Sequence, residues 1–124
     1  MQLTIGEKDY SFKFGIGFVK KLDDQFTLNQ GDFKYGAGLE NVLPKLVMGD
    51  VVTLADVLIR SNATELPKLQ TKDLYDYIDD ENTDIEGLFE EVLEELKNSN
   101  ATKLKVANLT KEMDKQQVQM DKQQ

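Results

Sequence analysis

Twenty-three acidic side chains, fifteen basic ones, and neither a histidine nor a cysteine make up the reactive complement of this 124-residue sequence. Without cysteine there is no thiolate nucleophile, no thiolate metal ligand and no disulfide, and a reducing compartment is permitted. Without histidine the commonest general base and commonest metal ligand are missing, together with the side chain that ordinarily titrates near neutral pH. Carboxylates are what remain. Asp80, Asn82 and Asp84 fall on positions 1, 3 and 5 of a calcium-loop pattern and Glu91 on position 12, but position 6, which needs glycine for the sharp turn, is Ile85. Acidic residues just before and inside a helix's first turn account for the same run, because the helix dipole stabilises them. Gly15-Ile16-Gly17 and Gly36-Ala37-Gly38 lack the third glycine of a dinucleotide loop and the Gly-Lys-Ser/Thr of a phosphate loop. They read as hinges, or as places where a helix start packs against a neighbouring backbone. Glu90, Glu91, Glu94 and Glu95 could supply paired carboxylates, yet with no arginine or metal ligand beside them they read as a solvated helix face, available to a basic partner. No catalytic, cofactor-binding or metal-binding residues are assigned.

The elements that must carry these residues follow from apolar spacing. Leu3 and Ile5, then Gly6-Glu7-Lys8-Asp9, then Tyr10, Phe12 and Phe14 alternate on both sides of a turn-like cluster, which predicts an N-terminal β-hairpin. A lone hairpin is marginal in water, so its apolar face must lie on helices or on another chain. Phe14, Phe18, Val19, Leu22 and Phe26 predict a short helix, and Asn29-Gln30-Gly31-Asp32 a polar loop after it. Leu39, Val42, Leu43, Leu46 and Val47 form the next stripe, interrupted by Pro44: either that helix begins near Asn41, with Pro44 in its first turn, or it kinks. Gly49-Asp50 ends it and caps a third helix reaching about Ser61. Beyond a linker around Pro67, Thr71 caps a short helix, and Thr83 with Glu86 forms a capping box before the strongest pattern in the chain. There, Ile85, Leu88, Phe89, Val92, Leu93 and Leu96 fall at i, i+3, i+4, i+7, i+8 and i+11. Burying side chains of this kind stabilises by about 2 kcal/mol each before entropy is subtracted.

The expected fold is therefore α+β, an N-terminal hairpin followed by five or six helices. Residues 1–100 form one globular domain, and 101–124 a C-terminal helix and Gln-rich flexible tail carrying the repeat Asp-Lys-Gln-Gln at 114–117 and 121–124. The expected core holds Phe14, Phe18, Leu22, Leu43, Leu58, Phe89, Val92 and Leu96. A net charge of −8 repels a phosphate backbone, which excludes nucleic acid as the natural partner. No apolar run approaches the roughly 20 residues that span a bilayer, and the N-terminus has no signal-like core, so neither a membrane nor export is expected.

In order and spacing the chain resembles the tail assembly chaperones of long-tailed phages and prophages of Gram-positive bacteria. The residues that carry the likeness are the hairpin leading into Tyr10-Ser11-Phe12-Lys13-Phe14-Gly15-Ile16-Gly17-Phe18, then Lys21-Leu22-Asp23, Tyr35-Gly36-Ala37-Gly38-Leu39 and Leu43-Pro44. It continues through Leu54-Ala55-Asp56-Val57-Leu58, Asp76-Tyr77-Ile78-Asp79-Asp80 and the acidic helix Leu88 to Leu96, covering about residues 1–110. The resemblance implies a non-catalytic protein of the host cytoplasm, absent from the mature virion, that masks hydrophobic helices of the tape measure protein while the tail tube polymerises. The tape measure protein is the implied partner and the tail tube protein a second one. The alternative is a structural tail completion or connector protein of the virion; a carboxylate-based metal hydrolase is the enzymatic rival.

A holding protein needs apolar residues surplus to its core, read at helical spacing along a groove. The candidates for partner binding are Leu39, Val47, Leu54 and Ile59, then Val106, Leu109 and Met113 on the C-terminal seam. An open hairpin edge and apolar faces on short helices also predict self-association.

Overall fold

The computed structural model describes residues 1–123; Gln124, the end of the second Asp-Lys-Gln-Gln repeat, lies outside the described residues. The chain is α+β and mostly helical. Strands β1 (Gln2–Ile5) and β2 (Lys8–Ser11) pair antiparallel with Leu3 opposite Tyr10 and Ile5 opposite Lys8. Gly6, at φ 66°, takes the first place of the two-residue turn, where a left-handed residue matches the strands' twist. Alternation puts Ile5, Tyr10 and Phe12 on one face, all buried.

Helix α1 (Ile16–Gln25) buries Phe18 and Leu22 completely, and the Phe14 and Phe18 rings meet edge to face at 5.1 Å. Where the sequence suggests a polar loop, the structure has a second hairpin, β3 (Thr27–Gln30) with β4 (Phe33–Gly36), turned at Gly31. Helix α2 (Gly38–Val47) starts three residues before Asn41 and carries Pro44 in its interior. The missing amide there removes one bond, to the Glu40 carbonyl, and the helix continues past it to its C-cap, where the Met48 N–H donates to the Pro44 carbonyl at 3.0 Å. The early start depends on Gly38: a Cβ there would lie 2.5 Å from Leu22 Cβ, and its amide donates to Asp23 Oδ1 at 3.0 Å. The Gly36–Gly38 pair is thus a close approach of β4 and α2 to α1.

Helix α3 (Val51–Asn62) follows the turn at Gly49, and α4 (Thr71–Asp79) follows a connection containing a cis Leu66–Pro67 bond. Gln70, without a side-chain bond, stands at the cap of α4 in place of Thr71. Helix α5 (Ile85–Asn98) is capped by Asp84, whose carboxylate accepts from the Gly87 amide, and not by Thr83. The Thr83 hydroxyl instead donates to the Tyr77 carbonyl at 2.6 Å, closing the α4–α5 corner. Helix α6 (Lys103–Gln123) runs on for 21 residues where the sequence suggests a helix giving way to a tail.

Helix α2 is central, touching α1, α3, α5 and α6, while α4 rests on α3 and β1. The core contains Phe14, Phe18, Leu22, Leu43, Leu58, Val92 and Leu96 as the pattern requires; Phe89 is half-buried at its margin. Among the described residues no helix is long and apolar enough to cross a membrane.

Candidate functional site

Three of the seven residues expected to be surplus are not. Leu39, Leu54 and Val106 are 2%, 0% and 2% exposed, because α2, α3 and α6 turn them into the space shared with α1 and α5. Leu109 and Met113 are half-buried against the core along α6, and Val47 stands exposed at the end of α2. Ile59 lines a concave surface.

That surface is a groove crossing α3. One section, about 210 Å³, lies between the first turns of α3 and the side of α4, with Val51, Val52, Ala55, Tyr75 and Ile78 around it. It shares Val52, Ala55 and Tyr75 with a section of about 440 Å³ that runs past Ile59 to Phe26 and Val42. Through Phe26 and Asn41 this joins a third, of about 400 Å³, reaching Leu28 on the second hairpin. Val52 is 72% exposed and Tyr75 52%, and Met48, in the turn before α3, is 84% exposed.

Local sequence explains why these residues are outside the core. The buried stripe of α3 is Leu54, Val57, Leu58 and Ser61; Val51 is in line with Leu54 and Leu58 but stands one turn ahead of them at the helix start, and Val52 lies off the stripe in line with Ile59. On α4 only Leu74 is fully buried, so Tyr75, one residue on, points about 100° away. A valine off a stripe already complete, with a tyrosine off the next one, is the signal sequence reasoning passes over.

The rim is mostly acidic. Glu40, Asp50, Asp56 and Asp79 border the groove against a single Lys45. Several are already engaged: Asp50 accepts from the Thr53 hydroxyl at 2.5 Å, and Asp56 holds the Arg60 guanidinium at 3.1 Å. Glu40 Oε1 is buried and lies 2.7 Å from Lys105 Nζ, an ion pair that clamps α6 to α2. On the outer face of α4, Asp76 bonds Lys72 and, with Asp73, raises its ammonium pKa; both side chains are exposed. The calcium-like run is otherwise employed, since Asp80 Oδ1 accepts from the Asn82 amide and Asp84 caps α5. Among the described residues no group of three acidic side chains converges on a metal position.

A small α+β protein with an open groove, apolar between α3 and α4 and mixed apolar and polar beyond, has the kind of surface by which proteins take up a segment of another chain. The sequence matches the family described as phage tail assembly chaperone protein over residues 2–111, and the chain belongs to that family. No curated protein and no solved structure matches it.

Proposed function

We propose that this protein is a non-catalytic holder of tape measure protein helices, seating them in the groove that crosses α3. The observation that carries the reading is the run of apolar side chains along the groove from Ile78 and Tyr75, over Val52 and Ile59, to Phe26 and Leu28, with Tyr75, Val52 and Leu28 exposed and Ile78, Ile59 and Phe26 half-buried against the core. An amphipathic helix presents anchors at i, i+3, i+4 and i+7, and a concave apolar strip is what receives them. The acidic rim and the net charge of −8 favour helices whose apolar stripe is flanked by lysine and arginine. A long chain of apolar helices made before its tube exists exposes the surface that later buries it, and masking that surface prevents aggregation. The protein acts in the host cytoplasm during assembly and is absent from the mature virion. Several copies work side by side along the tape measure.

Co-expression tests this. Tape measure fragments become soluble and co-purify with the wild-type protein, while Val52→Asp and Tyr75→Ala weaken capture by roughly tenfold or more. Both residues are exposed, so the denaturation midpoint stays near wild type. Fragments equally insoluble with and without the protein would remove the basis of the reading.

A further inference from the structure

The second hairpin is an oddity in a protein this well packed. All four residues of β3 are exposed, and β4 is held mainly by its approach to α1. Leu28 and Tyr35 lie directly opposite each other and are 48% and 47% exposed, an apolar pair on the open face of a two-stranded ribbon. Two strands alone are marginal in water, and natural edges are guarded by lysine, proline or a bulge. Thr27-Leu28-Asn29-Gln30 has none of these and no charge, although the chain as a whole carries −8.

The direction of the free edge follows from the ladder. The Phe26 carbonyl accepts from the Ala37 amide at 2.6 Å, and Leu28 pairs with Tyr35 and Gln30 with Phe33 across the turn. Antiparallel pairs alternate, so Phe26, Leu28 and Gln30 turn their backbone groups toward β4 while Thr27 and Asn29 turn theirs outward. We propose that β3 pairs antiparallel with β3 of a second copy of this chain, making a four-stranded sheet about a two-fold axis at Leu28. In that register Thr27 of each copy exchanges backbone hydrogen bonds with Asn29 of the other. Leu28 then meets its own counterpart at the non-hydrogen-bonded position, about 4.5 Å between Cα atoms.

Three features select a second copy as the occupant. A two-fold axis sets each residue against itself or a near neighbour, so a strand that pairs with itself must be free of charge, and this one is. The open strand needs a strand, and the same strand in another copy has the complementary outward amides and carbonyls. The pairing also completes an apolar row, Tyr35–Leu28 meeting Leu28–Tyr35, that neither copy can cover alone. Leu28 borders the hairpin end of the groove, so the dimer brings two grooves end to end into one longer surface. The pairing does not depend on what the grooves hold.

Sedimentation velocity of the full chain from low micromolar to near-millimolar concentration is the test, with two variants. Asn29→Pro removes an outward N–H and leaves the β3–β4 ladder intact, and Leu28→Lys sets two ammonium groups against each other at the axis. The wild type is expected to form a concentration-dependent dimer, and each variant to weaken it by roughly tenfold or more while far-UV circular dichroism stays unchanged. Val52→Asp, in the groove, should leave the dimer as it is, which separates loss of dimerisation from loss of helix capture. A wild type monomeric throughout, or a dimer that Leu28→Lys leaves untouched, overturns the proposal.

Discussion

Asn62, the last residue of α3, is 2% exposed and joins three parts of the chain. Its Nδ2 donates to the Ser11 carbonyl at 3.0 Å and to the Pro67 carbonyl at 3.1 Å, and its Oδ1 accepts from the Leu69 amide at 2.7 Å. One side chain therefore ties the end of the first hairpin and the connection into α4 to the floor of the groove. Asn62→Ala removes three bonds, each with a net value of about 1 kcal/mol, and leaves the buried Leu69 N–H without a partner. The carbonyls lose less, since each has a second lone pair. The expected loss is about 2 to 4 kcal/mol. Ser61 is the control: it is fully buried too, but its hydroxyl only returns to the Leu58 carbonyl of its own helix, so Ser61→Ala should cost under about 1 kcal/mol. Urea unfolding at unchanged m-value measures both, and hydrogen exchange should show α4 amides opening more readily in Asn62→Ala. If Asn62→Ala loses no more than Ser61→Ala, the three bonds do not pin the connection and the reasoning fails.

On α5, Leu96 is fully buried and Leu93 half-buried, so Leu96→Ala should cost about 2 to 5 kcal/mol and Leu93→Ala clearly less in the same urea assay. Gly38→Ala pushes a methyl into Leu22 and its backbone, and thermal unfolding should register a loss of about 1 to 3 kcal/mol.

The legible parts of the sequence were those where one local rule had no competitor. The α5 stripe and the alternation around Gly6 fall in this group, and both elements stand where the spacing puts them. The second hairpin was hidden because β3 has one apolar residue in four, and its Gly31-Asp32 turn looks the same as a loop when its strands lack alternation. The α5 cap was displaced by tertiary demand: Thr83 is recruited by the Tyr77 carbonyl, and Asp84 next to it takes the cap. For the groove, periodicity tells which residues share a helix face but not which faces meet. Leu39 and Leu54 point inward because α1, α2 and α3 converge on them, and Val52 and Tyr75 are left outside by the same convergence.

The two sides of the groove are not equally anchored. Its floor, α3, buries Leu54, Val57 and Leu58 completely and is stitched at its end by Asn62. Its wall, α4, has a single fully buried side chain, Leu74, with Tyr77 and Ile78 half-buried, and its Lys72–Asp76 pair is exposed and contributes little. Local opening draws on elements with few buried contacts, so displacing α4 costs less than displacing α3. In the role we propose, a fixed floor would keep the apolar strip presented, and a wall that shifts at low cost would let Tyr75 and Ile78 close over helices of different bulk. A holder of the kind proposed, meeting many segments of one long chain, would need that asymmetry more than a tight fit to any of them, because promiscuous binding comes from surfaces that re-pack.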